Sequence, residues 1–269
     1  MKQKVLILDI DGTLTNSKKE ITTKTLKAIL NLEQQGHIVI IASGRPTHGV
    51  KLIAGELQLE KYGGYILNFN GARITDVKTG EVVYQQVFPK EYIKPLYEYA
   101  LKHDIGLVTY RDDTVIAANR IDKYMEFEAG LNRMKLWQAE DFLSYVNFDI
   151  NKFLFTAEED VAPELEKELA MQYKDRLSIY RSEPFFIEAM PLGVDKAASL
   201  EHLFSIIGVD RADAVACGDG FNDISMIQYA GVGAAMANAQ EEVKEVADII
   251  TEKSNDEDGL LEVIEKYFC

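Results

Sequence analysis

Cysteine is scarce in this sequence, with only Cys217 and Cys269 among 269 residues. Two cysteines are too few for a disulfide framework. No apolar run approaches the roughly 18 residues that a membrane-spanning helix needs. The apolar segment Val5–Leu8 is too short for the core of a signal peptide. We therefore expect a cytoplasmic protein without a membrane partner.

Positive charge is also in short supply. The chain has 29 Lys and Arg residues against 44 Asp and Glu residues, which gives a formal net charge of −15. Proteins that bind nucleic acid need a basic face for the phosphate backbone, so no nucleic-acid partner is expected. A small phosphorylated substrate remains compatible with this charge, because a bound cation and one or two basic side chains set the local field.

A short stretch near the N-terminus holds two closely spaced carboxylates. Val5–Leu8 reads as a buried strand, and Asp9 and Asp11 follow it. Side chains alternate along an extended chain, so both carboxylates lie on one side and Ile10 on the other. Neighbouring carboxylates repel each other unless they share a proton or a cation such as Mg²⁺, which prefers oxygen ligands. Taken alone, this string could also be a polar turn at the end of a strand.

The first and last parts of the chain alternate strands with helices. A helix is predicted over Thr22–Gln35, between strands over Val5–Leu8 and His37–Ile41. This spacing is typical of a parallel sheet, in which ligands bind at the carboxyl ends of the strands. The same pattern resumes with a helix over Lys196–Ile207 and a strand over Ala214–Ala216. These parts predict an α/β core.

The middle of the chain breaks this pattern. Asn70-Gly71 marks a turn, and beyond a short hairpin, from about residue 84 to 184, helices and strands alternate without an acidic strand end like that of Asp9 and Asp11. We predict a core formed by residues 1–83 and 187–269, with an inserted α+β domain over residues 84–186. The helices predicted for this insert are Pro89–His103, Lys123–Leu131 and Val161–Tyr173, and its strands are Ile105–Tyr110, Thr114–Ala118, Lys152–Thr156, Leu177–Tyr180 and Phe185–Ala189.

Polar residues gather at the predicted carboxyl ends of the core strands, and Lys196 opens the helix between the second and third of these groups. They provide carboxylates, hydroxyls, an amide, a glycine and a lysine: Asp9, Asp11, Thr13, Ser43, Gly44, Lys196, Asp219, Asn222 and Asp223. Phosphoryl transfer through an aspartyl-phosphate needs such a set. One carboxylate is the nucleophile and a second moves protons, while a cation and a lysine stabilise the phosphate oxygens.

Several of these residues also have ordinary structural explanations. Ser43 could cap a helix ahead of Pro46, and Lys196 could be an exposed lysine at a helix start. Asp219 could belong to a simple turn. Arg45 is either a substrate contact or a surface arginine. Their combination in this order favours the functional interpretation.

The string Asp9-Ile10-Asp11-Gly12-Thr13 resembles the first motif of the haloacid dehalogenase-like superfamily, and Ser43, Lys196 and the segment 218–223 resemble its later motifs. The whole chain is similar to a Cof-type phosphatase with a large C2-type cap. This resemblance implies a Rossmann-like parallel-sheet core with an inserted cap. It also implies Mg²⁺-dependent hydrolysis of small phosphorylated metabolites, above all sugar phosphates.

The resemblance further implies a role for each residue. The catalytic residues are Asp9 as nucleophile, Asp11 as general acid–base and Lys196. The implied metal ligands are Asp9, Asp11 through its carbonyl, Asp219 and Asp223. The implied phosphate or substrate contacts are Ile10 through its amide, Thr13, Ser43, Gly44, Arg45, Lys196 and Asn222. The one visible departure is Ala197, which stands where glycine is more usual.

Two other functions fit the same residues. A phosphomutase or phosphotransferase would pass the phosphoryl group from the aspartate to a second substrate instead of water. A non-catalytic phosphometabolite sensor would bind without turnover. Analysis of the reaction products separates these alternatives from hydrolysis.

Overall fold

The computed structural model describes residues 2–268. Up to residue 85 the elements are β1 (Val5–Leu8), α1 (Thr23–Gln34), β2 (Ile38–Ala42), α2 (Thr47–Glu56), α3 (Leu59–Tyr62), β3 (Tyr65–Asn68), β4 (Arg73–Asp76) and β5 (Val82–Gln85). The following stretch contains α4 (Ile93–Lys102), β6 (Gly106–Arg111), β7 (Thr114–Ala117), α5 (Lys123–Leu131), β8 (Lys135–Gln138), α6 (Phe142–Tyr145), β9 (Phe153–Thr156), α7 (Ala162–Gln172), β10 (Leu177–Glu183) and β11 (Phe186–Pro191). The last part contains α8 (Lys196–Ile207), β12 (Ala214–Gly218), α9 (Ile224–Tyr229), β13 (Val232–Ala235), α10 (Glu241–Val246), β14 (Ile249–Ile250) and α11 (Leu260–Phe268).

The first sheet has eight strands in the order β14-β13-β12-β1-β2-β3-β4-β5. The strands from β14 to β3 run in parallel, and β4 is antiparallel to β3. The central strand β1 pairs with β12, so that Leu8 lies opposite Cys217. The carboxyl ends of β1, β2 and β12 therefore meet at one edge, where the loops carrying Asp9, Ser43 and Asp219 begin.

Helices pack on both faces of this sheet, which explains why its central strands are apolar throughout. Leu6 and Leu8 of β1 share a cluster with residues of α1 and α11, whereas Val5 and Ile7 share one with residues of α8. Full burial of such side chains contributes about 1.5–3 kcal/mol each. The buried central strands thus fix the positions from which the loops at the edge of the sheet begin.

The second sheet has six strands in the order β10-β11-β9-β6-β7-β8. Every neighbouring pair is antiparallel except β7 with β8. Leu107 and Ile187 lie on the face that packs against α4 and α7. Because side chains alternate along a strand, Tyr110, Lys152 and Glu188 belong to the opposite face.

The described residues divide into two compact units. The first runs to Gly44, from Val50 to Tyr84 and from Asp195 onward, and the second comprises Arg45–Gly49 and Gln85–Val194. The boundary predicted between residues 186 and 187 cuts into β11. This strand pairs with β9 and β10, so the second unit extends to Val194. The sequence pattern also gave no sign that Arg45–Gly49 belongs to the second unit.

Two elements of the second unit were not predicted, namely β8 and the short helix α6. Three of the four residues of β8 are exposed, so this edge strand lacks the alternation of apolar and polar residues that marks a half-buried strand. Across residues 2–268, no helix combines the length and the apolar character needed to cross a membrane.

Candidate active site

The loop after β1 is closed by contacts with the loop after β12. The Thr13 hydroxyl donates a hydrogen bond of 2.8 Å to Asp219 Oδ1. Gly12 has φ +90°, and a Cβ at this position would lie 2.2 Å from Asp219 Oδ2. Glycine is therefore required here both by the left-handed backbone and by the close approach of the Asp219 carboxylate. The DxDGT string thus specifies the turn that brings Asp219 towards the first strand.

Lys196 joins the strand ends at the centre of the site. Its ammonium group lies 2.7 Å from Asp9 Oδ1, 2.6 Å from Asp223 Oδ1 and 2.7 Å from the carbonyl of Ala42. The side chain is completely buried. Burial opposes the charge, but the Asp223 and Asp9 carboxylates outweigh it, and the pKa of Lys196 is raised. The lysine is therefore a fixed positive charge beside Asp9.

The carboxylates of the site outnumber its buried cations. Asp9, Asp219 and Asp223 each place an oxygen within 4.8 Å of the others. Burial raises the pKa of Asp9 well above its ordinary range, and Asp223 adds to the effect while Lys196 opposes it. Burial likewise raises the pKa of Asp219 to about 6, against the hydrogen bond from Thr13. This excess of buried oxygen donors fits a hard divalent cation such as Mg²⁺.

Asp223 differs from the other carboxylates because both of its oxygens already accept hydrogen bonds. Oδ1 accepts from Lys196, and Oδ2 accepts from the backbone N–H groups of Asp219 and Gly220 at 2.9 Å. Asp223 is 1% exposed. It holds the lysine and the Asp219 loop in place, which is a positioning role beside the metal role that the resemblance implies.

Asp11 has a basic partner that the motif did not indicate. Lys19 Nζ lies 2.7 Å from Asp11 Oδ1, and this lysine is about half exposed. Lys19 adopts the left-handed conformation, with φ 62°, in a turn where its N–H donates to the carbonyl of Asn16. The turn therefore aims a flexible cation at the predicted acid–base residue.

The predicted phosphate contacts after β2 and β12 are linked by Asn70. The Asn70 N–H donates to the Ser43 carbonyl at 3.0 Å, and its Oδ1 accepts from Asn222 Nδ2 at 3.0 Å. A Cβ on Gly44 would lie 3.1 Å from the same Oδ1. Asn70 is 5% exposed and has φ 53°.

The sequence pattern predicts Asn70 only as a turn residue. Its backbone conformation is strained for any residue except glycine, and Asn tolerates it best. The Asn-Gly pair was thus the available signal, but the partner Asn222 lies 152 residues further along the chain.

Arg45 and the side chain of Ile10 stand apart from this group, although the contact predicted for Ile10 is through its amide. Arg45 follows Gly44 directly but belongs to the second unit, where its charge acts on Glu128. Ile10 turns its side chain into the core of the first unit, and its carbonyl accepts hydrogen bonds from the N–H and hydroxyl of Thr15. All of the predicted site residues except Arg45, Ile10 included, lie in the first unit.

Comparison with known proteins decides the family. The sequence model of the haloacid dehalogenase-like hydrolases matches residues 6–264. The chain belongs to this family. It is 31% identical over 262 residues to the Bacillus subtilis 5-amino-6-(5-phospho-D-ribitylamino)uracil phosphatase YcsE, covering 97% of this chain and 94% of that protein.

Solved structures agree with this assignment. A haloacid dehalogenase-like hydrolase from Bacteroides thetaiotaomicron superimposes with a TM-score of 0.95 at 42% identity, covering 99% of this chain and 100% of that chain. The subclass IIB sugar phosphatase BT4131 shares the fold, with a TM-score of 0.83 at 24% identity over 98% of this chain and 99% of that chain. The prediction of a Cof-type phosphatase with a parallel α/β core is confirmed.

Proposed function

We propose that this phosphatase hydrolyses phosphate monoesters of small metabolites, sugar phosphates among them, with Mg²⁺ and through a phosphorylated Asp9. The observation that carries the proposal is the buried ammonium of Lys196, which lies 2.7 Å from Asp9 and 2.6 Å from Asp223. A buried charge of this kind destabilises the fold unless it is paired with opposite charges and hydrogen-bonded. Here it fixes a carboxylate at the end of a central strand, where a nucleophile is needed.

The carboxyl oxygens of Asp9 and Asp219 and the carbonyl of Asp11 are the groups that would hold Mg²⁺. Asp223 holds Lys196 and the loop of Asp219 in place, because its own oxygens accept hydrogen bonds from Lys196 and from two backbone N–H groups. When bound, Mg²⁺ supplies positive charge that offsets the repulsion between these carboxylates and the phosphate.

The first chemical step forms a bond between an Asp9 oxygen and phosphorus and breaks the bond from phosphorus to the ester oxygen. Asp11 donates its proton to the departing oxygen, which leaves as an alcohol. Lys196 keeps Asp9 in place, while the Ser43 hydroxyl, the N–H groups of Ile10 and Gly44 and the Asn222 amide hold the phosphate oxygens.

The second step returns Asp9 to its starting state. Asp11, now ionised, accepts a proton from a water molecule whose oxygen attacks phosphorus. The bond between phosphorus and Asp9 breaks, and inorganic phosphate is released. One carboxyl group therefore serves as acid in the first step and as base in the second.

The class of substrate is supported by a relative. The Bacillus subtilis protein is named for a phosphoribityl compound, in which the phosphate is attached to a chain of hydroxyl-bearing carbons. We extend this to sugars and polyols as a class, not to that compound itself.

Covalent trapping tests the proposal. Wild-type protein mixed with Mg²⁺ and a substrate labelled in its phosphate group should, after rapid acid quench, carry label that Asp9→Asn lacks. The only phosphorylated product of a complete reaction should be inorganic phosphate. Label that appears in a second organic product would indicate a phosphotransferase or mutase, and turnover without any dependence on Asp9 would overturn the proposal.

A further inference from the structure

Lys19 contacts the predicted acid–base residue, although it lies outside the motif that contains Asp11. Its ammonium is 2.7 Å from Asp11 Oδ1, and the two side chains are 48% and 32% exposed. Both residues belong to the first unit. The proposed hydrolysis steps give this lysine no part, so its contact with a reacting group needs a separate explanation.

The turn that carries Lys19 is closed by its own hydrogen bonds. The Lys19 N–H donates to the carbonyl of Asn16 at 2.8 Å, and the Asn16 N–H donates to the carbonyl of Glu20 at 3.0 Å. The side chain of Asn16 accepts from the N–H groups of Lys18 and Glu20 at 2.9 and 3.1 Å. We name the segment Asn16–Glu20 the lysine turn. Its hydrogen bonds fix the backbone from which the Lys19 side chain extends.

The lysine turn is also tied to the rest of the first unit. Asp256 accepts hydrogen bonds from the N–H and the hydroxyl of Ser17 at 2.7 and 2.6 Å. Just before the turn, the N–H and the hydroxyl of Thr15 donate to the carbonyl of Ile10 at 2.9 and 2.8 Å. The lysine turn is thus held beside the end of β1.

Stability alone gives a poor account of a lysine at this position. Lys19 has φ 62°, a left-handed conformation that glycine or asparagine adopts with less strain. An ion pair between partly exposed side chains contributes little to stability and does not offset that strain. A lysine held under backbone strain beside a reacting group points to a role for its ammonium.

The ammonium determines which oxygen of Asp11 can carry a proton. A lysine has only donors, so Asp11 Oδ1 faces it as an acceptor. A proton on this carboxyl group is therefore placed on Oδ2. In the first step that proton passes to the ester oxygen as its bond to phosphorus breaks. In the second step Oδ2 takes a proton from the attacking water.

We propose that Lys19 is a positioning residue, which fixes the rotation of the Asp11 carboxyl group and so assigns both proton transfers to Oδ2. This inference rests on the proposed function. Without the ion pair the carboxyl group would rotate, and each proton transfer would require it to return to the productive orientation. Loss of alignment of this kind slows a reaction even when every reacting group is present. A step that needs no proton from Asp11 would keep its rate.

A matched pair of probes tests this inference. The anion released from p-nitrophenyl phosphate is stable without a proton. By contrast, p-nitrobenzyl phosphate is one methylene longer and releases an alcohol, so it needs Asp11 as the acid. Both probes leave the same phosphoryl group on Asp9. Rapid acid quench of a single turnover, with Mg²⁺ and with each probe labelled in its phosphate group, separates the rate at which label joins the protein from the rate at which it leaves.

Lys19→Met keeps the length of the side chain and removes its charge. Labelling by p-nitrobenzyl phosphate should slow about tenfold or more, while labelling by p-nitrophenyl phosphate should stay within about twofold of wild type. Loss of label should slow about tenfold or more with either probe, because attack by water needs Asp11 as the base. Lys19→Arg, which keeps the charge, should remain within about threefold of wild type in all of these rates.

Two other variants distinguish positioning from a structural role. Lys18→Met removes the neighbouring exposed lysine of the lysine turn, whose charge acts on Asp256, and should keep every rate within about twofold of wild type. Lys19→Gly relieves the strained backbone and also removes the ammonium. It should therefore show the rates of Lys19→Met, although its midpoint of thermal unfolding does not fall.

Wild-type rates in folded Lys19→Met would overturn the inference. So would an equal loss of the labelling rate with both probes, because that result would assign Lys19 to the phosphate and not to Asp11. Failure of the proposed function has a different signature. In that case the wild-type protein would carry no label with either probe, or Asp9→Asn would carry as much label as the wild type.

Discussion

At the scale of single residues, the site depends on close approaches that permit only one residue type. Gly12 and Gly36 show this well because they have nearly the same left-handed backbone, with φ +90° and +87°. Apart from Gly36 itself and its two chain neighbours, no heavy atom of residues 2–268 lies within 4 Å of a Cβ added at Gly36, whereas at Gly12 the Cβ would meet the Asp219 carboxylate at 2.2 Å. The same substitution therefore separates backbone strain from damage to the site.

We expect Gly12→Ala to abolish most phosphatase activity and Gly36→Ala to leave it nearly unchanged. Gly36→Ala should lose about 1–2 kcal/mol of unfolding free energy, because a left-handed conformation is unfavourable for alanine. Gly12→Ala should lose at least as much, because its Cβ also displaces the Asp219 carboxylate. Steady-state kinetics and urea unfolding measure the two effects. Equal activity in the two variants would show that the contact between Gly12 and Asp219 has no bearing on the reaction.

A second prediction at this scale concerns Glu33 on α1, which is 4% exposed. Neither of its carboxyl oxygens has a hydrogen-bond partner among residues 2–268. Burial raises its pKa from 4.5 to about 8. Between these values the unfolded chain releases the proton while the folded protein retains it. The contribution of Glu33 to the free energy of unfolding should therefore be fully present below about pH 4.5, fall as the pH rises towards 8, and stay level above that pH.

Glu33→Gln removes this dependence, because its side chain stays neutral in both states. The unfolding free energy of the variant minus that of the wild type should rise by on the order of 2–4 kcal/mol from pH 5 to pH 9. This range is based on about 1.4 kcal/mol per pKa unit. Urea unfolding at both pH values measures the gain, and the exposed Glu60→Gln serves as the matched control. If the difference in unfolding free energy between variant and wild type is the same at both pH values, the pKa of Glu33 is not raised in the folded protein.

At the scale of elements, the site is assembled from loops that follow different parallel strands. The loops after β1 and β12 meet through Thr13 and Asp219, and the loop after β3 reaches both Ser43 and Asn222 through Asn70. Each loop alone is an ordinary turn. The function requires that the sheet hold them in register.

Asn70 tests this link, since its backbone and its side chain can be altered separately. Asn70→Gly keeps the left-handed backbone and removes the amide that orients Asn222, so kcat/KM should fall about tenfold or more while stability changes little. Asn70→Ala should show the same kinetic loss and an added stability loss of about 1 kcal/mol. Kinetics and thermal unfolding measure both. Wild-type activity in Asn70→Gly would show that the amide has no role.

At the scale of the whole molecule, the sequence predicted the parallel α/β core because β1, β2 and β12 are apolar runs that are followed by polar residues. For the same reason it identified Asp9, Ser43 and Asp219 as neighbours, since parallel strands bring their carboxyl ends together, whereas Lys196 at the start of α8 was implied by the resemblance. It could not predict contacts that depend on side-chain direction and distant partners. The ion pair of Lys19 with Asp11, the role of Asn70 and the unit that holds Arg45 are of this kind.

The proposed mechanism requires a metal-dependent aspartate nucleophile at the edge of the first sheet. Phosphate release from p-nitrophenyl phosphate and a panel of sugar and nucleotide monophosphates tests it most directly. The assays use Mg²⁺ or a chelator, with wild type and Asp9→Asn. We predict turnover that is lost on chelation, is restored by added Mg²⁺ and falls at least about 10³-fold in Asp9→Asn. Turnover that survives either chelation or Asp9→Asn would show that the reaction does not need the metal or the Asp9 carboxylate.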